Sequence, residues 1–188
     1  MTDSPPPPIL HLPKSACHIR PFHAHESEYT TLSNAANNPL IAKNMRNAFP
    51  HPYTPADSQR WIAFTHAQPV TTDFVIALSS TNELIGAIGL KLKTDVSYRT
   101  VELGYWIAEG YWGKGIAGEA VERFCQWVWS EEQWGHVLRI EAEVFDGNDG
   151  SRRVLEKAGF ECEGRKRRAA EKNGVVLDVW GYALLRAE

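Results

Sequence analysis

A glycine-rich stretch in the middle of the chain has the composition of an anion-binding turn. Gly113 and Gly115 flank Lys114 at the point where an alternating run of residues gives way to helical spacing. A helix N-terminus presents unsatisfied backbone N–H groups and partial positive charge, and glycines let the backbone approach a phosphate closely. The stretch therefore predicts a phosphate-binding turn between a strand and a helix.

This turn lacks the signatures of two common phosphate-binding motifs. There is no GxxxxGK[ST], so the lysine and the Mg-binding hydroxyl of a P-loop are missing, and there is no GxGxxG within a βαβ unit. A tight strand-to-helix connection without any ligand also explains an isolated pair of glycines. The residues on either side of the turn are needed to choose between these interpretations.

The segments that flank the turn have clear periodicities. Val101, Leu103, Tyr105 and Ile107 alternate with more polar positions, which predicts a strand with Glu102 on the face opposite the apolar set. After the turn, apolar residues recur at steps of three and four up to residue 129, which predicts an amphipathic helix.

The other segments supply a mixed set of elements. Strands are predicted at 17–22, 74–78, 84–92, 139–145, from 160 onward and at 175–185, with a polar turn at 172–174 before the last one. Helical pieces are predicted before residue 48 with an interruption at 37–39, and over 148–157. A further helix is predicted from Pro55, with Thr54 as its N-cap and Asp57 three residues after the cap, as in a capping box. This order indicates an α+β domain with a mixed sheet.

Composition limits the class of protein. The chain has 188 residues, of which 43% are hydrophobic, and a net charge of −3. We expect an extended or disordered Pro-rich tail over 1–16 and one domain over 17–188. The scattered basic residues argue against a nucleic-acid partner, and no apolar run is long enough to span a membrane. Three widely spaced cysteines predict buried thiols in a reducing, cytoplasmic location, with no disulfide framework and no CxxC metal site.

Several short motifs together resemble the GNAT superfamily of N-acetyltransferases, and within it the RimJ/RimL-like branch that acts on ribosomal-protein N-termini. The motifs are VELGYWI at 101–107, YWGKGIA at 111–117, NDGS at 148–151 and LEKAGFE at 155–161. The resemblance implies a mostly antiparallel sheet of about seven strands, flanked by helices and splayed between the fourth and fifth strands.

The same resemblance implies acetyl-CoA as co-substrate and no metal. In the family pattern [R/Q]xxGx[G/A], the turn holds the pyrophosphate of CoA, and Trp112 occupies the position usually filled by Arg or Gln. Pantetheine is expected to bond backbone near the end of the preceding strand, and Asn148 and Ser151 are expected to face the cofactor. The full set of expected cofactor residues is Trp106, Ile107, Ala108, Trp112, Gly113, Lys114, Gly115, Ile116, Ala117, Asn148 and Ser151.

Acetyl transfer from a thioester to an amine needs a base for the amine and a proton for the departing thiolate. Glu102 is the expected base, either directly or through water, and Asp178 is a weaker candidate; alternatively, Glu102 only forms an ion pair. The resemblance assigns the proton donation to Ser151, which could instead cap a helix. Tyr182 is an alternative donor, or a packing residue. Direct transfer in a ternary complex is expected.

The acceptor pocket is expected to be lined by residues after the first strand. The resemblance places there Arg46, Phe49, His51, Tyr53 and Trp61, together with Glu102. These residues suit a peptide N-terminus, a polyamine or another small amine, and the aromatic ones could equally pack the helices onto the sheet. The basic run 165–168 is either a solvated turn or a site for an acidic group. A monomer and a homodimer both fit the sequence.

Two further functions compete with acetyl transfer. An acyl-CoA-binding sensor or interaction module would keep the phosphate-binding turn but would not depend on Glu102. A nucleotide-binding interaction domain would bind ATP rather than CoA. Binding of CoA separates the third function from the first two, and turnover separates the first from the second.

Overall fold

The structure is a computed structural model that describes residues 4–187. Its strands are β1 Leu10–Leu12, β2 Cys17–Pro21, β3 Asp73–Leu78, β4 Leu84–Leu92, β5 Thr100–Ile107, β6 Arg139–Phe145, β7 Glu161–Lys172 and β8 Val175–Leu185. Its α-helices are α1 Glu26–Ala36, α2 Pro39–Ala42, α3 Pro55–His66, α4 Ile116–Ser130 and α5 Asp149–Lys157. Short 3-10 turns lie at Asp95–Ser97, Glu109–Tyr111 and Glu132–Trp134.

The strands form one mixed sheet in the order β1-β2-β3-β4-β5-β6-β8-β7. The α+β class and the mixed sheet are confirmed, but the sheet has eight strands rather than about seven. The additional strand is Leu10–Leu12, which lies within the predicted tail and pairs antiparallel with Cys17–Ile19. Residues 1–3 of that tail lie outside the described residues.

The chain divides into two compact units. Of the described residues, the first unit contains those up to 89 and 105–120, and the second contains 90–104 and those from 121 onward. The boundaries fall within β4, β5 and α4. The single domain over 17–188 stays a prediction.

The first unit has a core between α1, α3 and the strands. Its buried side chains include Phe22, Leu32, Ile62 and Val75, each at most 2% exposed. Burial of such side chains is the main favourable contribution to folding. A buried ion pair lies beside this core, because Arg20 donates from both terminal nitrogens to the Glu28 carboxylate at 2.8 and 2.7 Å.

Local capping signals explain where the helices of the first unit begin. Thr54 caps α3 in the predicted capping box, since Asp57 N–H donates to the Thr54 hydroxyl and the Asp57 carboxylate accepts from Thr54 N–H. Asn38 caps α2 by accepting from Leu40 N–H, and Pro39 follows at the first helical position. The predicted interruption at 37–39 is therefore confirmed.

The second unit is built around the antiparallel strands β6, β8 and β7. β5 joins β6 in parallel over only three residue pairs, from Thr100 with Arg139 to Glu102 with Glu141. β5 continues to Ile107 and β6 to Phe145. The parallel pairing thus ends early, in agreement with the predicted splay between these strands.

Two predictions about the second unit need correction. Cys162 is exposed on β7, whereas Cys17 and Cys125 are buried as expected. The basic run 165–168 is part of β7 rather than a turn: Arg165 pairs with Asp146 and Asp178, and Lys166 pairs with Glu143. β7 is the last strand of the sheet, and charged side chains are a common protection for such an edge.

Candidate active site

The glycine-rich turn of the first unit has a backbone that only glycine adopts easily. Gly113 has φ +74° and Gly115 has φ +79°, and nothing lies within 4 Å of the position that a Cβ would take at either residue. These glycines are therefore required by conformation rather than by crowding. Residues 112–115 are exposed, and α4 begins immediately afterwards at Ile116, so the unsatisfied donors of its first turn face an open surface.

Trp112 has a structural role at the position where the family pattern expects Arg or Gln. Its indole N–H donates to the carbonyl oxygen of Ile107 at 2.6 Å, and its side chain is still 46% exposed. The side chain therefore folds back onto the end of β5. It supplies no positive charge to the turn, so anion binding there would depend on the backbone donors and Lys114.

The backbone at the end of β5 already has partners within the first unit. Ala108 N–H donates to the Ile85 carbonyl oxygen at 2.8 Å. Ile107 accepts from Trp112, but a carbonyl oxygen has a second lone pair for a ligand. Pantetheine binding by Trp106, Ile107 and Ala108 stays a prediction.

Gly86 of β4, which was not among the predicted site residues, lies against the end of β5. A Cβ at this position would overlap the carbonyl oxygen of Trp106 and lie 2.9 Å from Cδ1 of Ile107. Gly86 therefore lets β4 lie close to the last residues of β5. A glycine inside a strand is a general signal for such a close backbone approach.

Three of the expected site residues form an aromatic cluster in the first unit. The ring of Phe49 lies 5.0 Å from that of Tyr53 and 6.2 Å from that of Trp106. Tyr53 is buried, and burial raises the pKa of its hydroxyl to about 12, so it stays neutral. Phe49 and Trp106 are half-buried and pack against the core.

The other expected acceptor residues lie on more open surface. Arg46 and His51 are exposed. Trp61 is 37% exposed and stacks on Phe64 of the same helix at 5.5 Å. This pairing at a spacing of three residues is typical of neighbours on one helix face. The acceptor roles of Arg46, His51 and Trp61 stay predictions.

The second unit holds the expected base, Glu102, beside another glutamate. Glu102 is half-buried and lies directly opposite Glu141 in the parallel register, which is the last pair before the strands separate. Glu141 accepts hydrogen bonds from Lys93 and, at 3.5 Å, from Arg139 Nε. Two carboxylates therefore lie side by side at the end of the parallel pairing, and Lys93 and Arg139 offset the charge of Glu141.

The expected proton donors have different surroundings. Asn148 caps α5 by accepting from the backbone N–H of Ser151 at 3.3 Å, and Ser151 is half-buried. Tyr182 is only 1% exposed; its hydroxyl donates to Glu156 at 2.9 Å and accepts from Arg152 Nε at 3.1 Å. Burial, the largest contribution, raises the pKa of the Tyr182 hydroxyl. Both donor roles stay predictions, and these contacts favour Ser151.

Asp178 is held in a way that weakens it as a base. Its carboxylate accepts from Arg168 N–H at 2.7 Å and pairs with Arg165 Nε at 2.7 Å. The Arg168 N–H and the nearby guanidinium hold the pKa of Asp178 below its usual range. A carboxylate stabilised in this way has a lower affinity for a proton, so Glu102 remains the stronger candidate.

A cleft of about 370 Å³ lies in the second unit on the face that carries Glu141. Arg139, Glu163 and Lys166 are among its charged lining residues, and Tyr182 contributes to its wall. Arg139 pairs with Glu163, so the charges of the cleft largely balance one another. The cleft has no local signal in the sequence, because part of its lining comes from β6 and the rest from β7 and β8, which lie further along the chain.

The fold and the turn define an acyltransferase-like protein, and comparison with known proteins gives its family. The chain matches the acetyltransferase (GNAT) domain model over residues 18–161. It therefore belongs to the GNAT acetyltransferase family. In agreement with the suggested RimJ/RimL-like resemblance, the chain is similar to relatives that are named as ribosomal-protein acetyltransferases, and it shares its fold with solved structures named RimJ and RimL.

Two curated relatives come from Bacillus subtilis. The probable N-acetyltransferase YjcK is 37% identical over 115 residues, which cover 61% of this chain and 62% of the relative. The putative ribosomal N-acetyltransferase YdaF is 38% identical over 105 residues, which cover 56% of this chain and 55% of the relative. The matches thus take in less than two thirds of the length of these relatives.

A solved structure has the same fold. Mycobacterium smegmatis RimJ in complex with CoA-disulfide superposes with a TM-score of 0.76 and 23% identity, covering 90% of this chain and 81% of RimJ. At this identity the likeness shows the fold alone.

Within residues 4–187, no helix is both long enough and apolar enough to cross a bilayer. The same residues contain no group of three or more histidine, cysteine or acidic side chains arranged to hold a metal ion. Metal-independent chemistry stays a prediction.

Proposed function

We propose that this protein is an acetyl-CoA-dependent N-acetyltransferase that moves an acetyl group to a primary amine by direct transfer in a ternary complex. The observation that carries the proposal is the exposed turn before α4, where Gly113 and Gly115 both have left-handed φ values with open space around them. In a GNAT chain, this backbone suits the pyrophosphate of CoA.

The electrostatics of the turn support this ligand. A pyrophosphate is an anion, and a helix N-terminus is worth about 0.3–1 kcal/mol to a nearby negative charge before any direct hydrogen bond is counted. Lys114 is exposed within the turn and lies 4.9 Å from the ring of Tyr111. We infer that its ammonium group adds a second, salt-sensitive attraction for the phosphates.

We assign the proton transfers to residues of the second unit. Glu102 takes a proton from the substrate ammonium, directly or through water, and the neutral amine then attacks the thioester carbonyl. The new C–N bond forms as the C–S bond breaks, and Ser151 donates its proton to the departing thiolate. The second proton lost by the nitrogen returns to Ser151 through water, and the proton taken by Glu102 passes to solvent. The overall reaction releases one proton to solvent. Acetyl-CoA supplies the activated acetyl group.

For the acceptor we propose a protein or peptide N-terminus. One of the relatives is called a putative ribosomal N-acetyltransferase, which points to this class of substrate. The aromatic cluster of Phe49, Tyr53 and Trp106 offers an apolar surface for the side chain next to the amine. Polyamines and other small amines are the alternatives to be compared in the same assay. Three thiols without a predicted disulfide framework support a cytoplasmic location as part of the proposal.

Calorimetry with CoA, pantetheine and ATP tests the ligand first. We expect CoA to bind more tightly than pantetheine, which lacks the pyrophosphate, and ATP to bind weakly or not at all. Binding of ATP without affinity for CoA would contradict the proposal.

Thiol release from acetyl-CoA then tests turnover against a panel of peptides, polyamines and amino sugars. Release that depends on an amine and is lost in Glu102→Gln supports the enzyme. CoA binding without thiol release from any amine would instead support a non-catalytic acyl-CoA sensor.

A further inference from the structure

The corner between α1 and α2 forms hydrogen bonds to two distant segments of the first unit. The side-chain oxygen of Asn37 accepts from the backbone N–H of Tyr53 at 3.0 Å. The side-chain nitrogen of the next residue, Asn38, donates to the carboxylate of Glu109 at 2.6 Å. Two adjacent asparagines thus connect the loop that carries Phe49 and Tyr53 with the segment before the glycine-rich turn.

Both the oxygen and the nitrogen of the Asn38 amide form hydrogen bonds, which together fix its orientation. Its oxygen accepts from Leu40 N–H at 2.7 Å, which caps α2. Only the oxygen of the amide can accept from that N–H, so the NH₂ group must face Glu109. The side chain is half-buried and already ordered by the cap, so its bond to Glu109 needs little additional ordering.

Glu109 belongs to a short segment that is held together by its own hydrogen bonds. Its carbonyl oxygen accepts from Trp112 N–H at 3.0 Å, and the carbonyl oxygen of Ala108 accepts from Tyr111 N–H at 2.9 Å. The Trp112 indole closes the segment onto Ile107 at 2.6 Å. These three hydrogen bonds join residues 107–112 into one short segment, and Gly113 follows it directly. The Asn38–Glu109 bond holds this segment, and with it the beginning of the turn, to the α1–α2 corner.

We propose that Asn38 and Glu109 are positioning residues that hold the CoA-binding turn at a fixed place relative to the acceptor loop, which is the loop that carries Phe49 and Tyr53. This inference rests on the proposed function. Neither residue needs to touch the reacting atoms. Their bond fixes where the turn begins, while Asn37 fixes the acceptor loop from the same corner.

The substitution Asn38→Asp isolates this bond. Aspartate caps a helix as well as asparagine does, so α2 keeps its cap. The donor to Glu109 is lost, and two carboxylates then face each other. We expect the Kd for CoA to rise about threefold to tenfold and kcat/KM for the amine to fall by a similar factor, which corresponds to the loss of one partly exposed hydrogen bond.

The double variant Asn38→Asp/Glu109→Gln exchanges the amide and the carboxylate. The amide introduced at position 109 can donate to the carboxylate introduced at position 38, so the bond is restored with its polarity reversed. We expect CoA affinity and kcat/KM to return to within about twofold of the unmodified protein.

The matched control is Asn44→Asp, which makes the same chemical change in the segment that follows α2. Asn44 is half-buried like Asn38, and its side-chain nitrogen also donates one hydrogen bond, to the Leu40 carbonyl oxygen at 3.3 Å. This control leaves the Asn38–Glu109 bond in place. We therefore expect it to change CoA affinity and kcat/KM much less than Asn38→Asp does.

Three outcomes decide the matter. If the unmodified protein neither binds CoA nor transfers an acetyl group, the proposed function fails. If the unmodified protein is active and Asn38→Asp behaves like Asn44→Asp, the positioning role is overturned while the function stands. A defect in Asn38→Asp that the double variant does not repair also overturns it, because that defect does not arise from the Asn38–Glu109 bond.

Discussion

Replacement of Gly115 by alanine perturbs the turn on which the proposed function depends. Gly115 has φ +79°, and nothing lies within 4 Å of the position of the added Cβ. The substitution therefore introduces no steric overlap with the rest of the protein. Its effect comes from the backbone conformation alone, since L-residues with a side chain disfavour the left-handed region.

The expected size of the effect has two parts. Alanine in the left-handed region costs about 1–2 kcal/mol, which lowers the midpoint of thermal unfolding by roughly 2–8 °C in a chain of this length. If the turn relaxes to avoid this strain, its donors no longer converge on the pyrophosphate. Loss of one hydrogen bond to a charged group is worth about 1.5–3 kcal/mol, or roughly a 10-fold to 100-fold rise in Kd.

Calorimetry measures the change in Kd for CoA and for pantetheine, and thermal unfolding measures the change in stability. Gly174→Ala is the matched control, because Gly174 also has φ +79° and open surroundings but lies between β7 and β8. Both variants should lose similar stability. Only Gly115→Ala should lose affinity for CoA, and its preference for CoA over pantetheine should largely disappear.

An unchanged Kd for CoA in Gly115→Ala, together with the same loss of stability as in Gly174→Ala, would refute the reasoning. The turn would then be a tight connection between β5 and α4 without a role in phosphate binding. Equal losses of affinity in both variants would also contradict it, because the effect would then follow general stability.

Three other predictions address the base, a buried carboxyl and the thiols. Glu102→Gln should lower kcat about 100-fold or more with little change in the Kd for acetyl-CoA; an unaffected kcat in stopped-flow turnover would exclude Glu102 as the base. Burial, the largest contribution, raises the pKa of the Asp73 carboxyl in the folded protein above its value in the unfolded chain. The free energy of unfolding therefore falls as the pH rises from the unfolded-state pKa to the folded-state pKa, because the carboxyl ionises more easily in the unfolded chain. Urea unfolding should therefore show Asp73→Asn to be more stable than the unmodified protein at about pH 7, with the difference vanishing below about pH 4, and a less stable variant at neutral pH would contradict this. Burial raises the pKa of the Cys125 thiol to about 12 and also raises that of Cys17, so a thiol reagent should label only Cys162 in the native state; rapid labelling of all three would be inconsistent with the structure.

Local signals in the sequence predicted much of the fold. The capping box from Thr54 to Asp57 indicated the beginning of α3, and alternation indicated the bounds of β6 at Arg139 and Phe145. These features depend on neighbours within a few residues. Leu10–Leu12 was assigned to the tail because a three-residue strand next to prolines has too little pattern of its own, and its pairing with β2 defines it.

Edge position explains the errors in the C-terminal part. Cys162 was expected to be buried because cysteine is usually an interior residue, but β7 is the outer strand and exposes nearly all its side chains. The charge of the basic run 165–168 favours a solvated turn or a site for an acidic group. The run forms a strand whose register shifts between Lys166 and Ala170, and its cations are matched by acidic residues on other elements.

The candidate site was predictable where one short segment defines it. The glycine-rich turn follows from two glycines on either side of Lys114, between two periodic segments, and its left-handed φ values agree with that reasoning. Contacts between distant segments left no signal of that kind. The Asn38–Glu109 bond joins residues 71 positions apart. The glycine at position 86 within β4 is a signal for a close backbone approach, but the sequence does not indicate that its neighbour is Trp106.

The most direct test of the central claim is the stoichiometry of acetyl transfer. The unmodified protein is incubated with acetyl-CoA and a peptide that has a free N-terminus, and released thiol and acetylated peptide are measured in the same reaction. The proposed function predicts that both products increase together in equal amounts and only when the peptide amine is free. Tight binding of acetyl-CoA with neither product, for any amine tested, would contradict acetyl transfer.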